Sequence, residues 1–545
     1  MGAGSVIGRT PDQLPAQRPS WKLKRPHDVQ TQGIVVSGFS DLPAAKALFL
    51  MCDWPENGPG AGIVAGKGAW LKALAAVAPI TDSDGKDARA ASIAFTWTGL
   101  QKSGLSAEAL ASFSQPFREG MYQEDRLRRL GDRIKDEWQR PVIEGGPRWS
   151  GNTPVKDDRT LAGPDKGEPP RQVITPTTVH AMLLLYEKDA KAVQDWADAV
   201  ETALAAHNVK IVHQLALDLQ LDSKGIAREH FGFADGLSQP IPFGTDDGGK
   251  DDSIVLSNGQ PAPRDPWHGV PLGEILLGHL NAHAEDAPGP LVPDDLLART
   301  SDLTQQGAPE GTFNFGLNGS YMVVRELRQY VGRFWKSLAD NAARIRAHDP
   351  AATHVTADWL AERVVGRNVD GHLLCPAGRT LPPDSSNFPQ NAFGFLTTDP
   401  HGQGCPVGSH VRRANPRDGL AKDPASAQTL LDAANNHRIL RRGRKYGPPA
   451  ADRKTDDGAE RGLLFICLNA DIARQFEFVQ QTWILNKNFA TRYDETDPLV
   501  GPKGGFTIGE QPLRRIVNVE TFIQSAGGEY FFLPSLPALK YLASL

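Results

Sequence analysis

The sequence predicts an α+β protein built from two packed halves. The chain has 545 residues, and one hydrophobic core stops growing at roughly 250–300 residues, so at least two core-forming units are expected. Apolar segments typical of strands outnumber segments with helical periodicity. The order of strand, helix and strand occurs twice along the chain, which favours helices that cover one face of a sheet in each half.

The N-terminal half is expected over residues 31–240, after an extended arm at residues 1–30 that is rich in proline and charge. Its first strand is predicted at residues 33–39 and is expected to lead into a helix that ends near residue 51. A second helix is indicated by the one-face spacing of Val193, Trp196, Val200 and Leu204. Further strands are predicted at residues 93–97, 180–187 and 211–219.

The C-terminal half is expected over residues 241–545. Strands are predicted at residues 318–327 and 462–468, and each precedes a helical stripe, at residues 331–345 and 472–483. The last 17 residues predict a strand followed by a final helix. Long loops separate these elements, among them an acidic loop at residues 244–252 whose role the sequence leaves open.

Composition excludes several classes of protein. With 59 Lys+Arg against 64 Asp+Glu the net charge is −5, which gives no footprint for a nucleic acid. A chain that is 40% hydrophobic and 23% charged is not disordered, collagenous or a coiled coil. Four scattered cysteines do not form a disulfide framework, so reduced thiols are expected.

Targeting signals are also absent from the sequence given. The first 20 residues contain no signal-peptide core and no twin arginine, and no stretch of roughly 18 apolar residues occurs. We therefore expect a cytoplasmic protein without a membrane partner.

The most unusual local sequence lies at residues 228–242. Asp235 stands between Gly232 and Gly236, so this segment is neither helix nor strand interior. An ordinary Asp-Gly turn is one interpretation. The neighbouring Phe231 and Phe233 favour another, because a carboxylate among aromatic side chains tends to have a raised pKa and suits proton transfer.

A histidine with several arginines follows at residues 399–419. His410 stands in a glycine-bounded turn before Arg412, Arg413 and Arg417. A basic surface loop is one interpretation, and a zinc site with Cys405 is another, although no second Cys/His pair has suitable spacing. A neutral imidazole beside arginines also suits axial binding of haem iron, with the arginines neutralising the propionates.

A dense arginine run occupies residues 437–447. It contains Arg438, Arg441, Arg442 and Arg444 and is closed by Tyr446. Most such arginines are solvated surface charge, and spacing alone selects none of them for a function.

Together these three segments resemble the dye-decolorizing peroxidase family. GFADG at residues 232–236 is similar to the signature Gly-x-x-Asp-Gly, CPVGSHVRRANPR to the proximal histidine segment and RRGRKYG to the distal arginine segment. The resemblance covers the chain from about residue 228 to its end. It implies two ferredoxin-like halves that form a dimeric α+β barrel with long loop insertions. It also implies one haem b per chain, bound by the C-terminal half; no Cys-x-x-Cys-His motif is present, so this haem is expected to be non-covalent.

The resemblance assigns roles residue by residue. Asp235 matches the distal acid–base carboxylate, Arg441 the distal arginine and His410 the axial iron ligand. Gly443 departs from some bacterial members, which have an asparagine there. Arg417, Gly236 and Phe233 are expected to contact the haem, and Asp497 is expected to be the acidic partner of His410. Tyr446 and Trp483 are candidates for electron transfer, although the apolar stripe around Trp483 favours core packing.

The implied function is a haem peroxidase that reduces hydrogen peroxide and oxidises organic donors, such as dyes and phenolics, in one-electron steps. One alternative is a haem-binding or haem-handling protein without significant turnover, and another is the chemistry of chlorite-decomposing relatives of the same barrel type. Asp235 with Arg441 favours peroxide chemistry over both, because neither alternative calls for a distal acid–base carboxylate. A homodimer is the assembly we expect, and the physiological donor is not indicated by the sequence.

Overall fold

The computed structural model describes residues 21–54, 66–85, 88–134, 137–151, 160–161, 171–172, 175–219, 221–243, 253–255, 261–263, 268–374 and 393–545. The acidic loop at residues 244–252, Cys375 and most of the predicted N-terminal arm lie outside this part of the chain.

The N-terminal half contains a four-stranded antiparallel sheet. Its strands are β1 (Ala44–Cys52), β2 (Ala90–Phe95), β3 (Ala181–Glu187) and β4 (Val209–Asp218), and they are arranged in the order β4-β1-β3-β2. Helices α1 (Ala69–Val77) and α2 (Ala190–Ala205) follow the first and third strands. The four residues of the predicted stripe on α2 are all buried. Short helices connect β2 to β3, at Trp97–Lys102, Ala107–Ala111, Gln115–Glu119 and Glu124–Leu130.

The C-terminal half repeats this arrangement. Its strands are β5 (Ser320–Gln329), the short β6 (Leu440–Arg441) and β7 (Arg444–Tyr446), β8 (Gly462–Asn469) and β9 (Ile523–Leu533). The order is β9-β5-β8-β7, with β6 also paired to β8. Its helices include α3 (Val331–His348), α4 (Ala357–Val365), α5 (His410–Ala414), α6 (Ala427–Asn435) and α7 (Leu536–Ser544), and shorter helices lie at Leu296–Thr300 and Phe395–Thr398. Two π-helical turns follow β8 at Ala473–Glu477 and Val479–Ile484.

The two sheets close into one barrel, as expected. Phe95 of β2 pairs with Phe532 of β9, and Leu217 and Asp218 of β4 pair with Tyr446 and Lys445 of β7. Alternate strand residues fill a common interior core, for example Phe49, Leu184, Val324, Ile466 and Phe531, while their neighbours pack under the helices. The α+β prediction is therefore confirmed, whereas the division at residue 240 stays a prediction.

Two local predictions were wrong. The segment expected to be a strand at residues 33–39 contains a 3₁₀ turn at Gly33–Val35, and the segment expected to be a helix forms β1. β1 lies between β3 and β4 and is buried on both faces, so its continuous apolar run shows no period of two. Residues 21–30 of the predicted arm are not extended throughout, because a helical turn occupies His27–Gln30. This part of the arm also packs on the barrel, since Trp21 and Leu23 are buried in its core.

None of the helices in the described ranges combines the length and the apolar character that a membrane crossing requires.

Candidate active site

A large cavity lies beside the outer face of β5 and β8, and α5 forms another part of its wall. It contains about 1750 Å³ of space between protein atoms, including the part open to solvent. Five of the residues to which the resemblance assigns a role line this cavity: Phe233, Asp235, Gly236, His410 and Arg441. Much of the remaining wall is apolar, including Leu237, Val365, Phe465, Phe476, Val479 and Leu499.

The loop that carries Asp235 turns at two glycines. Gly232 has φ +104° and Gly236 has φ +71°, both in the left-handed region that favours glycine. The Asp235 backbone N–H donates to the carbonyl of Ala227 at 2.9 Å, and its side-chain Oδ1 accepts from the Gly236 N–H at 2.5 Å. The turn therefore presents the carboxylate to the cavity in one orientation.

Arg441 is bound to the same loop. Its Nη1 lies 3.9 Å from Asp235 Oδ1, and both side chains keep about a third of their surface exposed, 33% and 36%. Its Nη2 donates to the Ser238 carbonyl at 3.1 Å, and its backbone N–H donates to Gln239 Oε1 at 2.9 Å. A carboxylate and a guanidinium thus lie side by side on the cavity wall, where the carboxylate can transfer a proton and the guanidinium can stabilise negative charge.

Gly443, which departs from the pattern of some family members, has no room for a side chain. A Cβ atom at this position would lie 2.5 Å from the carbonyl oxygen of Leu464 in β8. An asparagine could not be accommodated here without moving β6 and β7 away from β8, so this position contributes no amide beside Asp235 and Arg441.

His410 begins α5, and a buried carboxylate holds its ring. Asp497 Oδ2 lies 2.9 Å from His410 Nδ1, and Asp497 Oδ1 accepts from the N–H groups of Leu499 and Val500. Burial alone would raise the pKa of Asp497, but the charge and hydrogen bond of His410 and the Val500 N–H outweigh it and hold this pKa below its ordinary value. With Nδ1 engaged, Nε2 is the ring nitrogen left for a metal.

Two buried arginines stabilise the histidine segment. Arg413 is fully buried and donates to the carbonyls of Trp483, Asn486 and Glu495. Arg417 is also fully buried, and its Nη2 donates to Asn415 Oδ1 at 3.3 Å. Asn415 lines the cavity, whereas Arg417 lies behind it in the part of the chain that is described.

Tyr446 and Trp483, the residues expected to transfer electrons, are both 6% exposed. Tyr446 packs in the barrel interior, and burial raises the pKa of its hydroxyl well above the ordinary value. Trp483 packs against Phe478 and His437, beside the cavity wall. Only a small part of either side chain is therefore accessible to a bulky donor.

Several cavity residues were not predicted from the sequence. Ser238, which lines the cavity, and Gln239, which binds the Arg441 N–H, lie two and three residues after the GFADG motif, so their position was a usable signal. Glu229 gave no such signal, and neither did the buried pair in which Arg325 Nη2 donates to both oxygens of Asp132, at 2.6 and 2.7 Å. The members of that pair are distant in sequence and meet only in the folded barrel.

The cavity fits a haem group. Its walls are largely apolar, the imidazole of His410 lines it with Nδ1 held by Asp497, and Arg367 and Arg438 add positive charge. Within the described ranges, no group of three or more His, Cys, Asp or Glu side chains could hold a metal ion alone. A single axial histidine with a carboxylate partner is the donor set expected for haem iron.

Comparisons with known proteins agree with this geometry, although no family model matches the chain. The chain is 30% identical to the multifunctional dye peroxidase DyP2 of Amycolatopsis sp. over 390 residues, which cover 67% of this chain and 71% of that protein. It is 28% identical to the dye-decolorizing peroxidase msp1 of Mycetinis scorodonius over 444 residues, 77% and 75% of the two chains. The solved DyP-type peroxidase of Anabaena sp. superimposes with a TM-score of 0.63 at 22% identity, covering 95% of both chains. The dye-decolorizing peroxidase of Auricularia auricula-judae gives a TM-score of 0.63 at 20% identity, covering 95% of this chain and all of that one, 100%.

Proposed function

Because this chain belongs to the dye-decolorizing peroxidase family, we propose that Asp235, Arg441 and His410 perform its haem-dependent peroxidase reaction. Hydrogen peroxide is the acceptor, and organic compounds such as dyes and phenolics are the donors. One observation carries the assignment: Asp235, Arg441 and His410 line the same cavity. Arg441 lies beside Asp235, and Asp497 binds the ring of His410.

We propose one non-covalently bound haem b per chain. The sequence has no Cys-x-x-Cys-His motif, and the described cysteines, Cys52, Cys405 and Cys467, are buried. His410 Nε2 would be the axial ligand, and Phe233 and Gly236 would contact the ring. The propionate contact of Arg417 stays a prediction, because its guanidinium is fully buried and reaches the cavity wall only through its hydrogen bond to Asn415. The homodimer stays a prediction that light scattering can check.

Asp235 and Arg441 supply the proton transfer and the charge stabilisation. Bound haem supplies the iron that takes up one oxygen atom of peroxide and the two oxidising equivalents that the donors later remove. The Asp235 carboxylate accepts the proton from the near oxygen of peroxide and returns it to the far oxygen, which leaves as water. Arg441 stabilises the negative charge that develops on the far oxygen as the O–O bond breaks. Two donors, each giving one electron, and two further protons complete the reduction to a second water.

His410 would hold the haem iron through Nε2, and Asp497 would hold His410. The hydrogen bond to Asp497 fixes the ring plane and gives the imidazole anionic character, which favours oxidised iron. Because Asp497 also accepts from Leu499 and Val500, it is itself held in place.

The test is an absorption spectrum of haem-loaded protein before and after one equivalent of peroxide at mildly acidic pH. We expect a spectral change within the mixing time in the wild type and a rate about 10²- to 10⁴-fold lower in Asp235→Asn. Asp222→Asn is the matched control, because Asp222 lies earlier in the same segment and binds Arg228 outside the cavity wall. An undiminished rate in Asp235→Asn would overturn the role of Asp235.

Two other outcomes distinguish the alternative functions. Haem that binds but shows no response to peroxide would favour a haem-handling protein. The absence of a Soret band in the wild type, or an unchanged band in His410→Ala, would remove His410 as the axial ligand.

A further inference from the structure

A second carboxyl group lines the active-site cavity. Glu229 lies on the loop that leads to Asp235 and contributes to the same wall. The proton transfer proposed above does not use it. Its side chain is surrounded by the turn at residues 231–233 on one side and by the end of β5 on the other.

Three N–H groups donate to this carboxylate. Oε1 accepts from the backbone N–H of Phe233 at 2.8 Å. Oε2 accepts from the backbone N–H of Phe231 at 2.8 Å and from Gln329 Nε2 at 2.7 Å. The backbone of Glu229 closes the same turn, since its carbonyl accepts from Gly232 and its N–H donates to Phe233. Both carboxylate oxygens are therefore used to hold one tight turn.

This turn determines where Asp235 lies. Only Ala234 separates it from Asp235, and Gly232 within it takes the left-handed conformation. Gln329 connects the turn to the barrel, because its own backbone N–H donates to the Arg461 carbonyl beside β8. A chain of hydrogen bonds thus runs from the rigid sheet through Gln329 and Glu229 to the loop that presents Asp235.

We propose that Glu229 is a positioning residue for Asp235, because its carboxylate gathers the N–H groups that fix the turn and joins that turn to β5. This inference rests on the proposed function, in which Asp235 transfers the proton. It adds a residue whose charge state sets how firmly the catalytic carboxylate is held.

The charge on Glu229 is poised to change near neutral pH. Burial and, to a smaller extent, the nearby charge of Asp235 raise the pKa of Glu229 to about 7, against the opposing effect of its three donors. Above this pH the ionised group accepts all three hydrogen bonds; below it, one oxygen carries a proton. The other charged or titratable side chains on the cavity wall, besides Asp235 and Arg441, are Asp132, Arg325, Arg367, His410, His437 and Arg438.

Glu229→Gln tests the proposal with almost no change in volume. A glutamine has one acceptor oxygen, so its NH₂ group would face a backbone N–H and the turn would open. We expect the rate of the peroxide-dependent spectral change, measured above pH 7 where Glu229 is ionised, to fall about 10- to 100-fold, as for a catalytic group displaced by about 1 Å. Asp370→Asn is the matched control, because Asp370 binds Arg228 of the same segment but does not line the cavity wall.

Cyanide binding to the ferric haem gives a readout that is not turnover. Hydrogen cyanide loses its proton as it binds, so the rate reports the distal carboxylate. We expect the wild type and Asp370→Asn to show an inflection of this rate near pH 7, and Glu229→Gln to lack it. A residue with only a structural role would lower the rate and leave the inflection in place.

The outcomes separate the two proposals. The role of Glu229 is overturned if Glu229→Gln reacts with peroxide at the wild-type rate and keeps the inflection of cyanide binding. The proposed function still stands in that case if Asp235→Asn reacts more slowly than the wild type. A rate unchanged in both variants overturns both. If urea unfolding shows that Glu229→Gln does not fold, Gln329→Leu removes only the link to β5; a lowered rate in that folded variant supports the proposal, and an unchanged rate overturns it.

Discussion

Asp497→Asn is the substitution that most directly tests how the protein controls its haem iron. The Asp497 side chain is 0% exposed and lies 2.9 Å from His410 Nδ1. Asparagine has nearly the same shape and can keep the acceptor for Leu499 and Val500, but it carries no charge. Its amide group would face the ring N–H of His410, so the charge-assisted hydrogen bond is lost while the loop is retained.

The expected size of the effect follows from that one hydrogen bond. A hydrogen bond to a charged group contributes about 1.5–3 kcal/mol, which corresponds to a roughly 10- to 150-fold change in an equilibrium constant. Haem affinity should fall by this factor. If the bond stabilises mainly the ferric state, the reduction potential should rise by roughly 60–130 mV, at 59 mV per tenfold change for one electron.

Two measurements check this prediction. Haem transfer to an acceptor protein gives the relative affinity, and spectroelectrochemistry gives the potential. Asp494→Asn is the matched control, since Asp494 lies in the same loop, is 67% exposed and pairs only with Lys487 among the described contacts. If Asp497→Asn matches this control in both measurements, Asp497 does not act on the iron through His410.

Three further predictions concern stability and electron transfer. Arg325→Met leaves Asp132 buried without its partner and should cost about 3–5 kcal/mol of unfolding free energy in urea, with Asp132→Leu in the same chain restoring most of it; no recovery would contradict an ion-pair origin. Burial lowers the pKa of His230 to about 4, so its unfolded form binds more protons between pH 4 and about 6.5. As the pH is lowered through that window, the unfolding free energy of the wild type should fall by about 1.4 kcal/mol per pH unit more than that of His230→Gln. Parallel curves for the two proteins would refute this. Tyr446→Phe and Trp483→Phe should slow oxidation of a bulky dye relative to a small donor, and unchanged ratios in both would remove the relay.

Burial on both faces did not by itself decide which strands were predictable, since the strand expected at residues 180–187 forms β3, whereas β1 was expected to be a helix. The alternation at residues 93–97 predicted a strand that overlaps β2 at residues 93–95, although all six residues of β2 are buried and Trp97 begins a helix. In β1, both Leu48 and Phe49 are fully buried, because strands flank it on both sides and separate cores cover its two faces. A continuous apolar run of this kind is equally consistent with a helix until the neighbouring strands are known.

The helix after β8 shows a second limit of periodicity. The spacing of Ile472, Phe476 and Trp483 predicted a regular helix, but the segment consists of two π-helical turns. A wider turn alters the position of only a few residues, so the stripe still matches a period of 3.6. Within it, Glu477 is buried and accepts from the hydroxyl of Tyr530 and from Arg126, partners distant in sequence.

The motifs located the three residues proposed to take part in the reaction, because these residues occupy short distinctive segments. Asp235, Arg441 and His410 all line one cavity, as the resemblance implied. The groups that hold them could not be found in this way. Glu229 and Gln329 belong to different halves of the sequence, and their hydrogen bond exists only because the loop lies against the end of β5.

The two sides of the site are held by different anchors. A direct link between them is weak: Ser238 Oγ lies 3.5 Å from Asn415 Oδ1, which is long for a hydroxyl hydrogen bond. The Asp235 loop is instead attached to Arg441 through Ser238 and Gln239, while Arg413 fixes α5 against the segment that leads to Asp497. Loosening one side should therefore leave the other largely in place. A variant of the Glu229 turn should then change the reaction with peroxide without changing the iron potential, and Asp497→Asn should change the potential without opening that turn.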